Sequence, residues 1–401
     1  MKVSLVMALI LFSFNIYAIP ADFHGYLRSG VGNNLSLKKQ SCFSNPGSSG
    51  NEFRLGNECG TYGELTMAFE FLEKNEEDQS FKIQTTAAFF PSENTQYGDE
   101  SSQNDIDIVE TFAQSKNLEG APFTYWVGKR FYRDVDVHMN DFYYFAAMNG
   151  IGAGVSDIPL FGGNFKVAYL QETQTSTSNS DKLTKSFLDF RLFDLSINQE
   201  NSLNFWTSFG VSPKGYIGST QYEKLTGELF GVRWRKNLAS GFNDFAIIYG
   251  QKLLSSISVY GNSEIKPFYD NNDKYTFRVV EHVTTKVSEK CELHASATLE
   301  QRNDGLRDST WWNLGTRPMY LINDNVRFVT ELGHSEVKNS TRTLTLTRVT
   351  IAYEVAINKS IWARPVIRAF ATKSMWNEAN RSNFDGKKEG HAMGFQAEVW
   401  F

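Results

Sequence analysis

The sequence is short of proline and cysteine, with nine and three in 401 residues, and it has no basic tract. It also lacks any apolar run approaching the roughly 18 residues that a membrane helix needs. Each scarcity removes a class. A net charge of −5 without clustered Lys or Arg argues against a nucleic-acid partner. Three cysteines without CxxC or Cys/His spacing give no zinc site, and no motif implies a cofactor. The longest apolar stretch, Val3 to Phe14, follows Lys2 and precedes the small Ala18. That is the three-part pattern of a secretory signal over residues 1–18, with the exported chain starting near Ile19. Export favours oxidised cysteines, and the nearest couple, Cys42 and Cys59, flanks NPGSSGNE, which reads as an exposed loop. Cys291 is then left as an unpaired thiol.

What the chain has instead is glycine, 30 residues, and an aromatic content of 14%. Such a mixture favours strands and turns over helices. Alternation with period two runs from one end to the other. In DFHGYLRSG (22–30), Asp22, His24, Tyr26 and Arg28 share one face, and Phe23 and Leu27 lie on the other. TYGELTMAFEF places Tyr62, Glu64, Thr66 and Glu70 opposite Leu65, Met67, Phe69 and Phe71. SFKIQTTAAF sets Phe81, Ile83, Ala87 and Phe89 against Lys82, Gln84 and Thr86. At the end, Gln396, Glu398 and Trp400 oppose Phe395, Ala397, Val399 and Phe401. A water-soluble sandwich would alternate in the same way. The signal, the absence of helical periods and the aromatic residues on the apolar faces favour an all-β transmembrane barrel instead. Polar stretches at 171–186 and 262–275 read as outward loops between strands. A closed barrel leaves no strand edge in lipid and explains a chain ending on bare Phe401, since the last strand must pair with the first. About 20 residues per strand with its turns gives an even number near 16 to 20.

Several stretches resemble the maltoporins and related sugar-specific porins of the bacterial outer membrane. They are DFHGYLRSG (22–30), FRLGNECGTYGELTM (53–67), GKRFYRDVDVHMNDFYY (128–144), GIGAG (150–154), GFNDF (241–245), WWNLGTRPMY (311–320), SIWARPVIRAFAT (360–372) and GFQAEVWF (394–401). The resemblance implies an 18-stranded antiparallel barrel, a homotrimer, and a loop at about 133–154 folded inward as a constriction. It also implies passage of maltose and maltodextrins along a row of aromatic rings. By motif match these are Tyr26, Tyr62, Phe242, Trp362 and Trp400, with Tyr97 lent by a neighbouring subunit. Parity agrees for Tyr26, Tyr62 and Trp400, which lie on polar strand faces where lipid contact does not explain them. A girdle position remains the alternative for the tyrosines, and packing against an inward loop for Trp362.

The same matches put partners for sugar hydroxyls at Arg28, Arg54, Glu64, Arg133, Asp136 and Asp141, with Tyr143 at the narrowest point. Arginine donates in a planar fork and carboxylates accept, so a mixed-sign track can hand hydroxyls along. Solvated lumen charge is the plain alternative for each. Three positions depart from the family pattern: Asp134 follows Arg133, Ala146 replaces an acid, and Val109 replaces an arginine. They leave sucrose-type or other glucosides open as cargo. His24 and His138 read as structural hydrogen-bonding residues. A general diffusion porin is the runner-up, and no Ser, His and carboxylate constellation suggests an enzyme.

Overall fold

Eighteen antiparallel strands pair each with its sequence neighbours and close into one barrel. The computed structural model describes residues 21–36, 38–50, 52–72, 79–90, 105–118, 122–175, 182–217, 220–258, 274–305 and 307–401. The expected signal, Tyr97 and most of the 262–275 loop lie outside the described residues. The seam joins the first strand, Ala21–Asn33, to the last, Glu389–Trp400, with Tyr26 opposite Trp400 and Arg28 opposite Glu398. Phe401 continues the pairing beyond the assigned strand. Its N–H donates to the Gly25 carbonyl at 3.1 Å and its carbonyl accepts from the Gly25 N–H at 2.9 Å. The terminal aromatic residue is therefore tied down on the outer face.

The alternation resolves as lipid against lumen. Phe23, Leu65, Ile83, Ile351 and Phe395 are exposed on the outside, where a cationic side chain at mid-depth would cost about 2–4 kcal/mol. Their neighbours in sequence point inward. The stretch 171–186 is mostly wall rather than loop, because the strands Gly163–Thr175 and Lys182–Ser196 run through it in paired register. Thr173 and Thr184 hydrogen-bond across that pair at 3.1 Å, so polar residues here extend a strand instead of ending it.

Among the described residues, two segments fold into the lumen. The first, 34–61, is closed by the Cys42–Cys59 disulfide. NPGSSGNE is not simply an exposed loop: Asn45 and Glu52 are buried, and the next residue, Phe53, is wholly so. The far wall satisfies their polar groups. Trp311 Nε1 donates to Glu52 at 2.8 Å, Leu55 N–H to Glu331 Oε1 at 3.0 Å, and Arg348 to the Phe53 carbonyl at 3.0 Å. The Phe53 ring lies on the wall at Gly315 and Gly333, where any Cβ would fall within reach of the ring.

The second segment, 131–149, leaves the strand Thr124–Arg130 and forms a hairpin of Val135–Val137 and Phe142–Phe145. It has the apolar face that its interleaved sequence conceals. Val137, Met139, Tyr144, Phe145 and Met148 are inaccessible and pack on Trp206, Leu229 and Ile248 of the wall. The wall is accordingly apolar on both faces there. The barrel wall resumes at Gly150–Leu160, so the GIGAG stretch belongs to the wall and the inward segment ends before it. Gly154 leaves the space that the Trp126 indole occupies, since a Cβ there would lie 2.6 Å from Nε1.

Candidate functional site

Between the two inward segments and the seam lies a cavity of about 290 Å³. Its lining is Tyr26, Arg28 and Trp400 from the seam strands, Tyr62 and Glu64 from the strand Tyr62–Leu72, and Arg54 from the disulfide-closed segment. The hairpin contributes Arg133, Asp136, His138, Asp141 and Tyr143. Every polar-track and constriction residue expected from the sequence therefore meets in one place. Among the expected rings, Tyr26, Tyr62 and Trp400 line it, while Phe242 and Trp362 lie outside it and Tyr97 is not among the described residues.

The rings form a nearly continuous row. Phe90 sits 5.0 Å from Tyr62 between centroids, and Tyr62 sits 6.0 Å from Tyr26. Tyr26 is the register partner of Trp400. From Trp400 the row proceeds through histidines. His138 is 5.9 Å from Trp400 and 5.3 Å from Trp362, His294 is 5.6 Å from Trp362, and His282 joins His294 at 4.6 Å to Phe242 at 5.2 Å. His138 is thus more than a structural hydrogen-bonding residue. Its position on the inward hairpin conceals it from strand parity. The inward parity of His282 and His294 on neighbouring strands was a legible signal.

Charge holds the row in place around Tyr26 and Trp400. Glu398 accepts from Tyr26 OH at 3.1 Å and faces three guanidiniums, Arg54 at 3.2 Å and Arg364 and Arg368 at 2.8 Å each. Glu58 takes Arg54 at 2.8 Å and also pairs with Arg28. Glu354 continues the ladder with Arg368 at 2.9 Å and Arg327 at 2.7 Å. Buried charges persist only when paired and hydrogen-bonded in this way. Sequence reasoning missed Glu58, Glu398 and Arg364, although Glu398 shares the inward parity of Trp400.

On the hairpin, the Arg133 guanidinium lies 4.2 Å from the Phe131 ring centroid and 3.9 Å from that of Tyr143, fixing both ring and charge at the constriction. Asp141 takes a left-handed backbone at φ 44°, turning the hairpin tip. Burial, reinforced by the Asp141 carboxylate, pushes the Asp136 carboxyl up to about 6. Burial, with Arg54 adding to it, holds His138 well below the usual histidine range, so it is a neutral ring at pH 7.

The three departures from the family pattern do not line the cavity. Asp134 anchors the hairpin to the wall through Arg191 at 2.6 Å and Lys166 at 3.1 Å. Ala146 is wholly buried at φ 55°. Val109 is the extra residue where the register shifts between Ile108 and Glu110.

The chain matches the LamB porin family model over residues 21–401. Among solved structures, the barrel is similar to OpdK (OccK1) of Pseudomonas aeruginosa, with a TM-score of 0.50, 8% identity and coverage of 95% of this chain and 98% of that one. OpdL of the same organism gives the same TM-score, identity and coverage. These likenesses carry the fold alone. The family model corrects the expected placement among maltoporins proper to the LamB porin family, and the similar solved barrels are Opd channels.

Proposed function

Since the chain belongs to the LamB porin family and is a channel of the outer membrane, we propose that it passes neutral oligosaccharides by stacking their pyranose rings on the row from Phe90 to Phe242. The observation that carries this reading is the cavity in which Tyr26, Tyr62 and Trp400 stand beside arginines and carboxylates of both signs. A pyranose has an apolar C–H face for the rings and lateral hydroxyls for the charges. Arg28, Arg54 and Arg133 donate to hydroxyl oxygens, and Glu64, Asp136 and Asp141 accept from hydroxyl hydrogens. Each site should bind weakly enough to release, with a constant near millimolar, about 4 kcal/mol. Maltose and maltodextrins are the first cargo to test, with sucrose-type glucosides beside them.

The resemblance that placed Tyr97 in a neighbouring subunit's loop also implies a homotrimer, which crosslinking in mild detergent would reveal. The function is tested by ion current through the purified channel in a planar bilayer, titrated with maltose, maltotriose, maltohexaose and sucrose. Graded block by at least one sugar, deepening with chain length, supports the reading. Equal, negligible responses to all four contradict it and leave a general diffusion porin.

A further inference from the structure

Beyond Trp362 along the ring row, the inner wall carries a square of four polar side chains on the adjacent strands Tyr275–Ser288 and Cys291–Asn303. His282 is the register partner of Ser296, and Thr284 is that of His294. The two imidazoles meet Nε2 to Nε2 at 2.5 Å. Both Nδ1 atoms, the Thr284 Oγ1 and the Ser296 Oγ are buried without a hydrogen-bond partner. Orphaned buried polar atoms on this scale call for an occupant, because each costs about 1–3 kcal/mol when left unpaired.

Two facing imidazole nitrogens share either a proton or a cation. We propose that His282 and His294 form a binding site for a divalent transition-metal ion such as Zn²⁺, Ni²⁺ or Cu²⁺, which lodges in the ring row between Trp362 and Phe242 and obstructs the lumen. Metal–nitrogen bonds of about 2.0–2.1 Å at a tetrahedral angle place the two nitrogens about 3.3 Å apart, so the rings need part by less than an ångström. Imidazole suits all three ions. Among the described residues no group of three His, Cys, Asp or Glu side chains is placed to hold a metal, so water completes the coordination, steadied by the hydroxyls of Thr284 and Ser296. With both Nε2 atoms on the metal, each ring carries its proton on Nδ1, the tautomer such ligation requires.

The surrounding charge does not forbid a cation. Arg233 and Arg235 both lie 3.2 Å from Asp244, and Arg317 is held by Glu331 at 2.5 Å. The one guanidinium in surplus and the two-ligand set make the site weak and reversible.

The test is ion current through the full channel in a planar bilayer with ZnCl₂, NiCl₂ or CuCl₂ added. The expected result is graded block by at least one ion, reversed by EDTA, with the half-blocking concentration raised about tenfold or more in His282→Gln and in His294→Gln. His391→Gln, on the outer surface, leaves it unchanged. No block up to millimolar metal, or equal block in the double variant, overturns the proposal. Should a variant fail to insert, calorimetric titration of the detergent-solubilised wild-type channel with ZnCl₂ decides: one ion per chain supports the site, and no binding overturns it.

Discussion

Tyr26 and Trp400 face each other across the seam where the barrel closes, so the first and last strands together build the centre of the ring row. Closure of the fold and assembly of the site are one event. The tie is Glu398, two residues before Trp400, which accepts the Tyr26 hydroxyl and faces three guanidiniums.

Glu398→Gln leaves Arg54, Arg364 and Arg368 without their shared carboxylate. Removing one partner of a buried charge set costs about 3–5 kcal/mol. The temperature at which the folded barrel converts to the slower-migrating heated form on a gel should fall clearly, and Glu398→Asp should fall less.

Reducing the Cys42–Cys59 bridge, or the Cys42→Ser and Cys59→Ser pair, frees a segment with 17 residues of separation. The chain-entropy cost is about 3 kcal/mol. Because Phe53 and Arg54 of that segment fill the lumen, the single-channel conductance should rise and fluctuate. Unchanged current under reductant would count against the segment's hold on the pore.

Gly333→Val places a branched side chain where the Phe53 ring lies. Overpacking costs about 1–3 kcal/mol, and the segment should yield before the wall does. Higher conductance with an intact barrel is the expected result, and Phe53→Ala should reproduce it.

Asp136, with its carboxyl pushed up to about 6 by burial and then by Asp141, is charged above that pH and neutral below it. Arg54 and Arg133 face it with Asp141, and Glu64 lines the same cavity. Lowering pH from 7.5 to 5 therefore removes one negative charge at the constriction, and preference for cations over anions should fall through about pH 6. The reversal potential across a salt gradient measures this. Asp136→Asn should show the low-pH selectivity throughout that range.

Much of this fold can be read from strand parity. Tyr26, Tyr62, Glu64 and Trp400 stand inward because Phe23, Leu65 and Phe395 stand in lipid, and a two-residue period admits no third choice. Of the two segments that fill the lumen, the inward hairpin was expected from the resemblance alone, and the disulfide-closed one was not legible. Residues 45–52 read as an exposed loop because the partners of Glu52, Phe53 and Leu55, which are Trp311, Arg348 and Glu331, lie 259, 295 and 276 positions away. The apolar inner faces at Leu229, Ala246 and Ile248 acquire their meaning only when the hairpin covers them. His282 and His294 share inward parity on adjacent strands, but His138 joins them from a hairpin distant in sequence, and no local pattern reveals that.

The central claim is that inward rings guide the cargo, and the half-blocking concentration of maltohexaose in single-ring variants tests it most directly. Trp400→Ala and Trp362→Ala should each lose about 1–2 kcal/mol of stacking, a roughly five- to thirtyfold rise. The outward Phe395→Ala should match the wild type. Unchanged block in both tryptophan variants, or an equal shift in Phe395→Ala, would contradict the account.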